Sequence, residues 1–151
     1  MRKVFVLAAC VVLLATTAWA ARIDQASLTT WASAASMPGY TFGGVEETDP
    51  GVYVMVWMSA KQEMIGVHVY PASEFKKNAN QTVNKRKPQA ITYNGSPATY
   101  TDALAPTGTM SVAYEKAGKT LVISNMGQPR ALTKEEFSRI LDGLAIDKLF
   151  K

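Results

Sequence analysis

The sequence has one histidine, and it lies in the stretch VYVMVWMSAKQEMIGVHVY, residues 52–70, with three methionines, a tryptophan and two tyrosines. These side chains admit two binding chemistries. Thioether and imidazole are soft-to-borderline ligands that suit Cu(I), which makes Met55 and His68 the pair to consider. Tyr53, Met55, Trp57, His68 and Tyr70 together could line a partly open aromatic groove for an apolar or mixed ligand, since tyrosine and tryptophan give large contact area with a polar tip. Catalytic patterns are weaker. A serine nucleophile needs a base, and His68 has no Gly-x-Ser-x-Gly elbow beside it. Zinc chemistry needs several histidine or carboxylate ligands, and there is no His-x-x-x-His pair. Of the two carboxylate pairs, Glu135-Glu136 is accounted for by helix capping, and Glu46-Glu47 runs into an Asp-Pro-Gly turn where charge is solvated. No catalytic residue, metal site or cofactor is assigned.

Which chemistry is available depends on how the strands around His68 are paired. A two-residue turn at Lys61-Gln62 would oppose Val54 to Val69, Val56 to Val67 and Met58 to Ile65, giving one aliphatic core face. The other face would pair Tyr53 with Tyr70, Met55 with His68 and Trp57 with Gly66. On that register Met58 points through the sheet, away from His68. The aromatic face is then either packing beneath a helix or the ligand groove, and both readings stay open.

The remaining elements follow from period and punctuation. Ile23 to Met37 carries Ile23, Leu28, Trp31, Ala32 and Ala35 at roughly helical spacing and stops at Pro38-Gly39. Tyr40 and Phe42 begin a period-two region, with runs at Val52 to Ser59 and Ile65 to Tyr70. Ser73 is an N-cap for a short helix with Phe75, Ala79 and Val83 on one side. Four strands follow, at Ala90–Tyr93, Ala98–Ala103, Thr109–Glu115 and Thr120–Ser124, and Asn94-Gly95 marks a tight hairpin. Thr133 as N-cap, Glu136 three residues later, and a Leu132–Phe137 staple define the last helix, whose apolar stripe is Phe137, Ile140, Leu141 and Leu144.

Arg2 and Lys3, the apolar run from Val4 to Ala18 and Ala18-Trp19-Ala20 form a secretory signal peptide, so residues 1–20 are expected to be removed and Ala21 to begin the mature chain. A lipid anchor at Cys10 is the weaker reading, because few residues precede it and the apolar run continues past it. Cleavage would remove the only cysteine and leave one domain, 21–151, held by its core rather than by disulfides. Taking Arg2 and Lys3 from the 16 basic side chains leaves 14 against 12 acidic ones, too balanced for a general polyanion binder. Nucleic acid is not an expected partner, and no stable membrane insertion is expected after cleavage. Lys76, Lys77, Lys85, Arg86 and Lys87 are either a docking patch for anionic lipid headgroups or an acidic partner, or a solvated helix end and loop.

The segments ITYNGSPATYTDA, TMSVAY, LVIS and ALTKEEFSRILDGL, within residues 89–146, resemble a layout found in exported bacterial domains of the DUF4367 and anti-sigma-factor-regulator type, which are lipoprotein-carrier-like. The resemblance implies a non-catalytic envelope-sensing or carrier-like binding role and transfers no functional residue. The expectation is therefore an α+β protein, a predominantly antiparallel sheet of about six to seven strands with an N-terminal, a middle and a C-terminal helix. It would be secreted or periplasmic and would bind an apolar small molecule or an envelope protein. A small hydrolase with unrecognised carboxylates is the alternative, and a periplasmic copper carrier the third reading.

Overall fold

The computed structural model describes residues 23–150. The expected signal peptide, 1–20, with Cys10 and the expected start at Ala21, lies outside the described residues. The first helix, α1 (Gln25–Ala34), starts where Asp24 closes a reciprocal cap: its carboxylate accepts from the Ser27 amide at 2.8 Å, and the Ser27 hydroxyl accepts from the Asp24 amide at 3.1 Å. Then the period switches to two, and β1 (Tyr40–Asp49), β2 (Val52–Ser59) and β3 (Met64–Pro71) form a meander. A short helix, α2 (Ser73–Asn80), leads to a second meander of β4 (Gln89–Tyr93), β5 (Ser96–Leu104), β6 (Thr107–Tyr114) and β7 (Lys119–Met126). The chain closes with α3 (Lys134–Gly143) and α4 (Asp147–Phe150).

All seven strands join one antiparallel sheet in the order β1-β2-β3-β7-β6-β5-β4, so the protein is α+β and the two meanders fuse where β3 pairs with β7. Asn94-Gly95 is the expected tight turn, with φ of +46° and +81° and Tyr93 opposite Ser96, the left-handed pair that a two-residue hairpin needs. Thr133 and Glu136 form the expected capping box on α3. Ser73 does not cap α2. Ala72 holds that position without a side-chain bond, and Val83 lies beyond the helix in an isolated bridge with Arg86.

One face of the sheet holds the core. Leu28 and Ala32 of α1, Phe137 and Leu141 of α3, and Ile146 and Phe150 around α4 pack with Tyr53, Met55, Trp57, Ile65, Val67, Val69, Met110, Val112, Leu121 and Ile123 of the strands. The β2–β3 register differs from the expected one. Tyr53 opposes Val69, Met55 opposes Val67 and Trp57 opposes Ile65, while Val54 opposes His68 and Val56 opposes Gly66. The reason is the loop. Ser59 and Glu63 close the hairpin with a 2.9 Å backbone bond, leaving three residues between them, and Gln62 adopts φ +65°. A type I turn followed by a left-handed residue makes a three-residue loop, and that shifts the pairing by one residue relative to a two-residue loop. Because side chains alternate, the shift sends Met55 and His68 to opposite faces of the sheet.

Candidate functional site

The aromatic half of the expected groove is therefore interior. Trp57 is 1% exposed, with Trp31 edge-on at 6.3 Å and Phe42 tilted at 5.2 Å, and Met55 is fully buried. The Trp57 indole N–H is buried without a hydrogen-bond partner. Tyr53 belongs to the same core. His68 and Tyr70 stand on the other face, so the five residues do not form one site.

That second face is the candidate. Pairing across β2, β3 and β7 arranges it in rows: Met58, Met64 and Met126, then Val56, Gly66 and Ser124, then Val54, His68 and Val122. Val54, Val56 and Val122 are half-buried, and Met58 and Met126 are exposed. Among the described residues, α2 and the chain just after it cross this side. Its Asn78 amide donates to Ser111 on β6 at 3.4 Å, and Thr120 of β7 donates to the Ala72 carbonyl at 3.3 Å. The chain beyond α2 turns back in a tight hairpin, where Val83 and Arg86 exchange two 2.9 Å backbone bonds around Asn84 and Lys85, both left-handed. Asn84 pins it to the Ala103 carbonyl at 2.7 Å. A cavity of about 140 Å³ separates this hairpin from Thr99, Ser111 and Val122 on the sheet. Sequence reasoning missed Val54, Val56, Val122, Ser124 and Met126 as members of this face, although period-two alternation finds them once the loop length is known.

Of the cationic stretch, Arg86 lines this cavity. Lys77 pairs with Glu74 at 2.8 Å and Arg86 with Asp102 at 2.7 Å, while Lys76, Lys85 and Lys87 are exposed. At the opposite edge Glu46, opposed to Val54, brings a carboxylate onto the same face. The apolar floor thus has a basic border on the α2 side and an acidic one on β1.

At the centre, the His68 and Tyr70 rings stack with centroids 5.9 Å apart and planes within 5°, and the Tyr70 hydroxyl lies 3.3 Å from His68 Nδ1. Burial pushes the His68 pKa down, so its neutral form is favoured; burial, and then the Glu74 charge, push the Tyr70 hydroxyl up. Gly66 lets neighbouring side chains lie over the strand: a β-carbon there would crowd His68 Nε2 at 3.3 Å and Ser124 Oγ at 3.4 Å. A serine, an imidazole and a phenol have the residue types of a nucleophilic relay. They stand in mid-sheet, however, where the strand amides that an oxyanion needs are committed to the ladder.

The other polar clusters hold the fold together. Asn125 is fully buried and joins three segments, accepting from the Gly108 and Leu132 amides at 2.9 and 3.1 Å and donating to the Pro106 carbonyl, the Arg130 carbonyl and Gln128. Tyr93 donates to Asp142 at 2.8 Å and Tyr114 to Asp147 at 2.9 Å, tying α3 and α4 to the sheet; burial first, then those carboxylates, drive both phenols well above their usual range. Arg130 grips Glu136 at 2.7 Å through both nitrogens, and this bond, with the Thr133 amide, pulls the Glu136 carboxyl down to about 2. Glu47 accepts from the Gly51 amide at 2.9 Å, which fixes the β1–β2 turn. One member of each carboxylate pair, Glu47 and Glu136, thus has a structural role.

Two larger cavities, of about 310 and 320 Å³, lie at Tyr114 and Phe150 and between Met37 and Ile140. Among the described residues no group of three or more His, Cys, Asp or Glu is placed to hold a metal, and no helix is long and apolar enough to cross a membrane. No family model, curated protein or solved structure matches the chain.

Proposed function

We propose that the chain is an exported, non-catalytic binding domain that receives an envelope protein on the open face of its sheet. The occupant is a protein segment with an apolar strip and an acidic edge that faces the basic border. One observation carries this reading: half-buried Val54, Val56 and Val122 share one face of the sheet, and Arg86, between exposed Lys85 and Lys87 in the chain, lines the cavity beside Val122. Apolar surface of this kind marks an interaction site when it is contiguous and rimmed by polar groups. Charge on the rim steers approach and selects the partner more than it adds affinity. The signal-peptide reading puts the partner in the envelope, and the layout of residues 89–146 points to the same class of role.

A short apolar peptide flanked by glutamates and its lysine-flanked twin test this. The acidic peptide should shift the backbone amides of Val54, Val56, His68 and Val122 in an NMR titration. Its affinity should fall roughly tenfold or more in Val56→Glu, which desolvates a charge in the floor, and should weaken with added salt. Shifts centred on Tyr114 and Phe150 instead, or no discrimination between the two peptides, would overturn the reading.

A further inference from the structure

At the outer end of the same face, three methionines occupy one cross-strand row. Met58 on β2 opposes Met64 on β3, and Met64 opposes Met126 on β7. Opposed residues share a face, and neighbouring strands are about 4.8 Å apart, so three flexible side chains rise side by side from one line of backbone. Met58 is 45% exposed and Met126 37% exposed, and Met64 between them is half-buried. Exposed large apolar side chains are otherwise rare here, with Leu104 alone joining these two among the described residues.

The backbone below the row is braced. Ser59 Oγ accepts from the Lys61 and Glu63 amides at 3.2 Å and fixes the β2–β3 turn between Met58 and Met64. Gln128 donates to the Met64 carbonyl at 3.3 Å and accepts from Asn125 at 3.0 Å, which ties β3 to the chain just past Met126. Gly127 lies so close to that turn that a β-carbon would come within 2.9 Å of the Gln62 carbonyl oxygen. Two turns that lock together therefore fix the three backbone positions from which the thioethers can converge.

We propose that Met58, Met64 and Met126 form a trigonal thioether site for a soft monovalent cation, Cu(I) in the cell. Each sulfur donates a lone pair and no electron changes hands. Thioethers are uncharged and soft, so the site favours Cu(I) over Zn(II), Mg(II) or Ca(II). None of the described residues is a cysteine, so no thiolate among them competes for the cation. His68 is not a fourth ligand. It sits four residues along β3 from Met64, roughly 13 Å away at strand rise, and Met55, the thioether first paired with it, is in the core. The site is separate from the partner-binding reading, and either can fail alone.

The test is a titration with Ag(I), the redox-inert analogue of Cu(I), followed through methionine methyl resonances and repeated with Cu(I) under anaerobic reducing conditions. The Met58, Met64 and Met126 methyls should move together and saturate at one equivalent. Met37, Met55 and Met110, buried in the core, are built-in controls that should not move. Single substitutions Met58→Leu, Met64→Leu and Met126→Leu should each weaken Ag(I) binding roughly tenfold or more, and the triple variant should abolish it with little change in melting temperature, because Leu conserves volume and none of the three is a core position. His68→Gln should bind as the parent does. Shifts that follow His68 instead, equal response to Zn(II), or full binding by the triple variant would each overturn the site.

Discussion

The two faces of the β2–β3 hairpin are made from adjacent residues and have opposite fates. Met55 and Trp57 are shut beneath α1 and the first strand, while Val56 and Met58, one position away on the chain, look outward. Composition does not separate them, since both faces are apolar. What separates them is cover: among the described residues α1, α3 and α4 supply core residues to one side, and the other receives α2 and the hairpin after it, away from β2. A sheet this wide with helices massed on one face leaves an apolar surface over β2 and β3 that packing does not explain, and this is where function is sought.

The largest expected effect breaks that comparison most directly. Trp57→Ala should cost about 3–5 kcal/mol in denaturant unfolding, reduced to the extent that removing the unpartnered indole N–H offsets it. Met58→Ala, on the neighbouring position, should stay within about 0.5 kcal/mol. Similar losses at both would mean that something also covers the outer face. A smaller effect is expected at the cover itself: Thr133→Ala removes the α3 cap acceptor and should cost about 1 kcal/mol, measured as a shift in midpoint at constant slope.

The finest distinction uses pH. His68 is held below its ordinary pKa of 6.5 in the folded state, so the unfolded chain binds the proton more readily. Stability should rise with pH through the window between the lowered value and 6.5, and fall as pH drops through it. His68→Gln should flatten that slope. A slope of the opposite sign would place His68 beside a charge that favours its cationic form. Glu136 acts on a lower window: its carboxyl is held at about 2, so its contribution is lost only as pH falls below the ordinary carboxylate range toward that value.

Much of the fold was legible because its signals are local. Thr133 with Glu136, Asn94 with Gly95, and the period-two runs each specify an element from within a few residues, and all three are found where expected. The candidate site was less legible. Of the five residues first grouped, Tyr53, Met55 and Trp57 became core, and only His68 and Tyr70 remain on the open face. Asp24 capping α1 could have been read from Asp-x-x-Ser, a weaker form of the same box.

The sequence by itself determined the α+β class, the order of elements and the apolar character of both faces of the central strands, since periodicity and turn chemistry are carried by near neighbours. Tertiary structure alone decided which face is which. The deciding residue is Gln62, which takes a left-handed conformation with neither glycine nor asparagine to announce it, and so makes the loop one residue longer than the turn signal implied. One residue of register turns a strand over, and only the fitting of Trp57 against Trp31 and Phe42 under α1, many residues away in the chain, selects the answer. The same selection set Met58, Met64 and Met126 in one row, a grouping that no spacing along the chain expresses because it spans three strands.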